Sequence, residues 1–203
     1  MQDFLFYLNL GWEHIISLDA LDHQLFVLAL IAVYSYSDWK KILILVTAFT
    51  IGHSITLALS ILDVFRVPSD WVEFLIPLTI VLTSLDNIIM KNQKQTLMRA
   101  NYYLALIFGL VHGMGFANTA RVMIAKSQSI AIPLLGFNIG LELGQIVIVF
   151  AILVVLFILL NIFKVNKKDW ILFVSSGVFA LSLNPIKKPA VYCRPRAFLW
   201  LKF

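Results

Sequence analysis

Charged residues and cysteine are both scarce in this chain. Asp, Glu, Lys and Arg make up only 13% of its 203 residues, whereas hydrophobic residues make up 61%. Soluble domains carry roughly 25% charged residues, so this composition excludes an ordinary soluble domain and indicates a polytopic membrane protein. The one cysteine, Cys193, excludes an intrachain disulfide and a thiolate metal cluster. Any metal chemistry would therefore use nitrogen and oxygen ligands.

Basic residues are absent from the first apolar stretch, "MQDFLFYLNL", and this absence predicts no cleaved signal peptide. Of the 16 Lys and Arg residues, 11 lie in short loops and 5 lie in the last 17 residues. Basic loops are what membrane topology requires, so the net charge of +5 does not indicate nucleic-acid binding. We expect the lipid bilayer, and no nucleic acid, as a partner.

The hydropathy pattern predicts an all-α polytopic membrane bundle of about six transmembrane helices plus a short amino-terminal helix. Residues 1–183 would form one transmembrane domain, followed by an atypical basic tail over 184–203. Asn184-Pro185 predicts a short sixth span. The expected segments are an amino-terminal helix over 4–18 and spans over 20–36, 41–62, 71–90, 101–121, 132–162 and 170–183.

The basic residues also predict an orientation. The loops after spans one, three and five hold eight Lys and Arg residues, and the opposite side holds three before the tail. The positive-inside rule then places the amino terminus outside. Six spans would leave the five basic residues of the tail outside as well, so whether the sixth helix spans stays open.

All four histidines lie in or beside apolar segments, together with several carboxylates. Ionisable groups at membrane depth are costly, so they usually face the bundle interior and mark a functional path. The alternative is that each one only bonds helix to helix. These residues are His14, His23, His53 and His112, with Asp19, Asp22 and Glu142.

The depth of three of these residues within their predicted spans indicates that their side chains lie close together in the membrane. His53 and His112 lie about 12 and 11 residues into parallel spans, or roughly 17 Å from the inner edge of the membrane core. Glu142 enters from the opposite side and reaches roughly 15 Å. We therefore expect a polar site near the midplane, shared by three helices.

The stretch "GFNIGLELGQ" predicts a helix with two different faces. Gly136, Gly140 and Gly144 form a ladder of small residues that would let another helix pack closely. Asn138 and Gln145 lie with Glu142 on the opposite face at 100° per residue, and they are expected to support the polar site.

The segment "GWEHIISLDALDHQLF" carries a second group of polar residues. Imidazole and carboxylate ligands suit divalent nickel, cobalt, zinc or copper, and a carboxylate can also orient an imidazole. Asp22 and His23 are adjacent and diverge on a regular helix, so both could ligate one ion only if the backbone is broken. The alternative is a helix cap made by Asp19 or Asp22.

Five motifs, in order, resemble the HupE/UreJ family of bacterial membrane proteins, particularly its shorter second subgroup. They are "GWEHIISLDALDHQLF", "FTIGHS", "VEFLIP", "FGLVHGMGFA" and "GFNIGLELGQ". The resemblance implies an inner-membrane secondary permease for nickel or cobalt, associated with hydrogenases and ureases. It also implies that the polar motif positions of the family are occupied here by His14, Asp22, His23, His53, His112 and Glu142.

The leading interpretation is a permease or diffusion facilitator for a divalent transition-metal ion. His14, Asp22 and His23 would capture the ion near the outer end, and His53, His112 and Glu142 would hold it at the midplane. The alternatives are an intramembrane metal-dependent enzyme and a non-transporting assembly subunit for a metalloprotein; we favour transport over catalysis. The identity of the metal, proton coupling and the oligomeric state, a homo-oligomer included, stay open.

Overall fold

Apolar runs with few breaks fold into helices along almost the whole chain in the computed structural model, which describes residues 2–89, 97–124 and 130–187. Within these ranges there is no strand, which confirms the predicted all-α fold class. The seven helices described there are α1 (Gln2–Ile16), α2 (Leu21–Ile31), α3 (Trp39–Ile61), α4 (Ser69–Ile89), α5 (Leu97–Ile124), α6 (Ala131–Phe157) and α7 (Lys167–Lys187).

Three of these helices are long and apolar enough to cross a membrane. The candidate spans are Tyr36–Ile61, Ser69–Ile89 and Ala131–Ile162, and the last continues α6 through a short π-helix. The pair α1 and α2 is a fourth candidate if it counts as one broken span. Length and composition therefore support three to four spans in the described residues, fewer than the predicted six, and these helices indicate a membrane-embedded protein.

The amino-terminal region is a broken helix. The sequence predicts separate helices over 4–18 and 20–36, whereas α1 ends at Ile16 and α2 covers only Leu21–Ile31. A short 3-10 turn, Leu18–Ala20, joins them, and the two axes are bent by 67°. The end of α1 and the start of α2 therefore lie side by side within the bundle.

Helices α1 and α6 pack closely through glycine. A Cβ atom at Gly140 would overlap the carbonyl oxygen of Leu8, and one at Gly136 would lie 2.8 Å from the carbonyl oxygen of Phe4. One at Gly144 would overlap the side chain of Ile15. Because the contacts on α1 advance in the same order as those on α6, the two helices run parallel.

Helices α3 and α5 form a second parallel pair of the same kind. A Cβ atom at Gly109 would overlap the carbonyl oxygen of Phe49, and one at Gly113 would overlap the hydroxyl of Thr56 and the carbonyl oxygen of His53. The glycines that surround His112 therefore bring the backbone of α5 against that of α3. A Cβ atom at Gly115 would contact only side chains of α4.

Helices α4 and α7 pack against each other and against α2. Asn87 on α4 donates from Nδ2 to the carbonyl oxygen of Ala29, 2.7 Å away. Helix α7 continues through Asn184-Pro185 to Lys187, beyond the predicted end at 183, because a helix can pass a proline with the loss of one N–H···O bond. The side chains of 184–187 and all of 188–203, with Cys193, lie outside the described residues, so the predicted tail stays untested.

Candidate metal site

All four histidines and Asp22 meet inside the bundle, and these five residues are called the histidine cluster below. His14 comes from the last turn of α1, Asp22 and His23 from the first turn of α2, His53 from the middle of α3, and His112 from the middle of α5. His23 is central: its ring centroid lies 5.1 Å from that of His14, 6.2 Å from that of His53 and 4.4 Å from that of His112.

Two overlapping sets of side chains in the histidine cluster could hold a metal ion. One consists of His14, His23 and His53, and the other of Asp22, His23 and His112. Within each set the ligand atoms lie within 4.8 Å of one another. Imidazole nitrogen with carboxylate oxygen is a donor set that suits borderline divalent ions such as nickel, cobalt, zinc and copper.

Asp22 fixes the orientation of His23. Its Oδ1 atom lies 2.9 Å from Nδ1 of His23 and also accepts the backbone N–H of His23 at 2.8 Å. A carboxylate can only accept, so Nδ1 carries the proton and Nε2 of His23 keeps a free lone pair. The other carboxylate oxygen, Oδ2, lies 3.9 Å from Nε2 of His112.

His112 is oriented in the same sense. Its Nδ1 atom lies 3.2 Å from the carbonyl oxygen of Phe108, one helical turn earlier. Since a carbonyl only accepts, Nδ1 donates and Nε2 of His112 is left as the unprotonated nitrogen. Two histidines therefore present a neutral Nε2 atom, which is the form of imidazole that ligates metal ions.

The cluster contains buried nitrogen atoms with no hydrogen-bond partner among the described residues. Buried polar atoms in folded proteins nearly always have a partner, so this set requires one that the protein itself does not supply. A metal ion fits the requirement, because it takes lone pairs rather than protons. The atoms are Nε2 of His14, His23 and His112 and one ring nitrogen of His53; the other ring nitrogen of neutral His53 carries a proton, and Asn138 lies beside this ring.

Phenylalanine rings surround the histidine cluster. The ring of Phe108 stacks on that of His112 with centroids 4.2 Å apart, and Phe49 stacks on His53 at 6.1 Å. The ring centroid of Phe116 lies 4.4 Å from that of His14. These apolar walls exclude water and so strengthen electrostatic interactions inside the site. Their role was not predicted from the sequence, although Phe precedes His by four residues in both α3 and α5.

Gln24 is a second residue that the sequence analysis missed. Its Nε2 atom donates to the carbonyl oxygens of Ile15, Ile16 and Ser17 at 3.0–3.2 Å. The carbonyls of Ile15 and Ile16 end α1 and have no partner in that helix, and Ser17, the next residue, also accepts the N–H of Ala20, so Gln24 caps α1 from the first turns of α2. It thereby holds the break that brings His14 to Asp22 and His23. The sequence does contain a signal for this role, since Gln24 is a polar residue shortly after Asp22 in a helix that is otherwise mostly apolar.

The arrangement differs from the two-site expectation. The residues expected at an outer site and those expected at the midplane form one cluster, because the broken helix carries His14, Asp22 and His23 inward. Glu142 is not part of it: its Oε1 atom accepts a hydrogen bond from Thr47, 2.8 Å away. Gln145 is fully buried and accepts from Thr50 at 3.1 Å. The side chain of Asp19 lies outside the described residues.

A bundle of apolar helices around a buried group of histidines and an aspartate is characteristic of a membrane protein that handles transition-metal ions. The chain belongs to the HupE/UreJ family: the family model described as "HupE / UreJ protein" matches residues 1–184. This family is associated with nickel or cobalt transport, or with maturation of ureases and hydrogenases. Comparison with curated proteins and with solved structures gives no significant match.

Proposed function

We propose that this protein is a permease or diffusion facilitator for a divalent transition-metal ion, with nickel and cobalt as the first candidates. It would lie in the bacterial inner membrane with its amino terminus outside. The observation that supports this most is the set of buried imidazole nitrogens without partners in the histidine cluster. They come from four helices, so an ion bound there would contact most of the bundle.

The broken helix favours transport over a purely structural role. Transporters often place ion sites where a helix is interrupted, since the freed ends expose polar backbone at membrane depth. Here the carboxyl end of α1 and the amino end of α2 meet at the cluster, and Asp22 in the first turn of α2 supplies a negative charge that suits a cation. The mixed histidine and carboxylate ligands bind only when the imidazoles are neutral, so binding would weaken as pH falls.

Reconstitution into liposomes tests the proposal. A metal-sensitive dye is enclosed, and nickel, cobalt, zinc and copper are offered outside in turn. We expect a saturable signal for at least one ion and its loss in the double variant His53→Ala, His112→Ala. Asp63→Asn is the matched control, because Asp63 lies at the exposed α3–α4 loop and pairs with Arg66.

Each outcome bears on one part of the proposal. A folded wild type that gives no ion-dependent signal for any of the four metals would rule out the permease. Bound metal that never exchanges would favour the intramembrane metal-dependent enzyme instead. A signal that the double variant leaves unchanged would remove the histidine cluster as the transport site.

A further inference from the structure

Polar side chains face each other along the α3–α6 interface, which continues from the histidine cluster at His53. Spacings of three or four residues put each set on one face of its helix. Two contacts across the interface have been described, Thr47 to Glu142 and Thr50 to Gln145, and Asn138 lies against His53. The residues are Thr47, Thr50 and His53 on α3, and Asn138, Glu142 and Gln145 on α6.

The hydroxyl of Thr50 determines how Gln145 is oriented. It lies 3.2 Å from the carbonyl oxygen of Val46 and 3.1 Å from the amide of Gln145. The hydroxyl donates to Oε1 of Gln145, and this amide oxygen keeps a second lone pair.

Three side chains on one face of α6 carry oxygen atoms that could ligate a cation. The nitrogen of Asn138 donates to the carbonyl oxygen of Leu134 at 2.8 Å, and its Oδ1 atom is buried beside His53. Gln145 supplies its amide oxygen. Glu142, which is half-buried, engages Thr47 through one oxygen and has a second. Amide and carboxylate oxygens are harder ligands than imidazole and bind borderline transition metals less strongly.

The position of these oxygens relative to His53 can be measured along α3, because Thr47 and Thr50 contact two of them. Thr47 precedes His53 by six residues, so its contact with Glu142 lies about 9 Å along the helix from the histidine. This displacement leads toward the amino end of α3, where Lys40 and Lys41 mark the side predicted to be cytoplasmic. Glu142 and Gln145, which contact Thr47 and Thr50, therefore lie on the inner side of the histidine cluster, whereas Asn138 lies beside His53.

We propose that Glu142 and Gln145, supported by Thr47 and Thr50, form a second, weaker cation site that takes the ion from the histidine cluster toward the cytoplasm, with Asn138 between the two sites. This site, the oxygen site, rests on the proposed transport function. A step from imidazole to oxygen ligands lowers affinity along the path, so an ion that is captured firmly by histidine can still be released. The histidine cluster would bind the ion firmly, and the oxygen site would pass it on toward the cytoplasm.

The test measures affinity and flux separately for the same variants. Nickel affinity is determined by titration of the purified protein in detergent, and nickel flux is determined in liposomes. We expect Glu142→Gln and Gln145→Leu to lower flux by roughly tenfold or more and to leave the affinity of the histidine cluster unchanged. Thr79→Val is the matched control, because the Thr79 hydroxyl bonds only to carbonyls of its own helix among the described contacts.

Thr47→Val provides a variant of nearly unchanged volume in case either of the others fails to fold, and it should lower flux in the same way. Wild-type flux in all folded variants would overturn the oxygen site and leave the permease intact. Affinity that falls together with flux would also overturn it, because Glu142 would then belong to the same site as the histidines. A wild type that binds nickel but passes none would overturn both proposals.

Discussion

Asp22 does more than any other single residue to organise the histidine cluster. One of its oxygens holds both the backbone N–H and the Nδ1 atom of His23, and the other faces His112. A carboxylate that orients a metal-ligating imidazole also raises its basicity, so the loss of such a partner weakens metal binding even when the imidazole remains.

We expect Asp22→Asn to lower affinity for cobalt or nickel by about 10–100-fold, because the amide can still accept from His23 but has no charge. Titration of the purified protein, followed by the visible absorption of bound cobalt, measures the effect. Asp63→Asn removes a carboxylate of the same type from an exposed ion pair and should leave the affinity unchanged. Equal affinities for the two variants would contradict a role for Asp22.

The residues of the histidine cluster could be predicted from the sequence, but their grouping could not. Ionisable side chains inside apolar segments are rare enough to single out His53 and His112, and their equal depth follows from parallel helices. Glu142 has a similar depth and still pairs with Thr47 instead, because depth along a helix does not determine which neighbour a side chain faces. Rotation about the helix axis is set by packing, which no single segment encodes.

At the scale of helices, glycine decides which elements lie close together. The backbone of α1 contacts that of α6 at Gly140, and the backbone of α3 contacts that of α5 at Gly113. Without a hydrophobic driving force between helices in lipid, such close van der Waals contact is a main source of association. The histidine cluster lies where these two pairs meet, since it takes His14 from the first and His53 and His112 from the second.

We expect Gly140→Ala to lower the free energy of unfolding by about 1–3 kcal/mol, because the new methyl group would overlap the carbonyl oxygen of Leu8. Gly177→Ala is the matched control, since a Cβ atom there has nothing within 4 Å. Alanine favours a helix over glycine by about 1 kcal/mol, so this control should be neutral or slightly more stable. Unfolding in detergent measures both, and an equal loss of stability would contradict the packing account.

The glycine ladder and a boundary between the first two helices at residue 19 were predicted from the sequence, but the 67° bend between these helices was not. Gly136, Gly140 and Gly144 recur at intervals of four, so they predict a close contact without naming the partner. The break at Leu18–Ala20 contains neither proline nor glycine, the residues that usually mark an interruption. The break is stabilised instead by Gln24, which donates to the carbonyl oxygen of Ile15, nine residues earlier. Such a contact depends on the tertiary structure and cannot be predicted from either helix alone.

At the scale of the whole molecule, the account depends on the direction in which the chain crosses the membrane. Because α1 runs parallel to α6, the amino terminus lies on the same side as the start of α6. The positive-inside rule assigns that side to the outside. On this assignment the proposed oxygen site would face inward, and transport would proceed from the histidine cluster toward the cytoplasm.

Labelling of single cysteines in intact cells tests this orientation. In a Cys193→Ser background, Val64→Cys lies in the exposed α3–α4 loop, and Ser37→Cys lies in the exposed turn before α3. We expect a membrane-impermeant maleimide to label the cysteine at 64 and to reach the one at 37 only after the membrane is opened. The reverse pattern would place the amino terminus inside and would invert the direction of the path.

The central claim is that the histidine cluster binds one divalent transition-metal ion, and X-ray absorption of the zinc-loaded protein tests it most directly. The account predicts nitrogen and oxygen ligands at about 2.0–2.1 Å, imidazole scattering beyond them, no sulfur shell, and loss of the signal in His23→Ala. A sulfur shell near 2.3 Å, or a spectrum without imidazole that His23→Ala does not change, would contradict it.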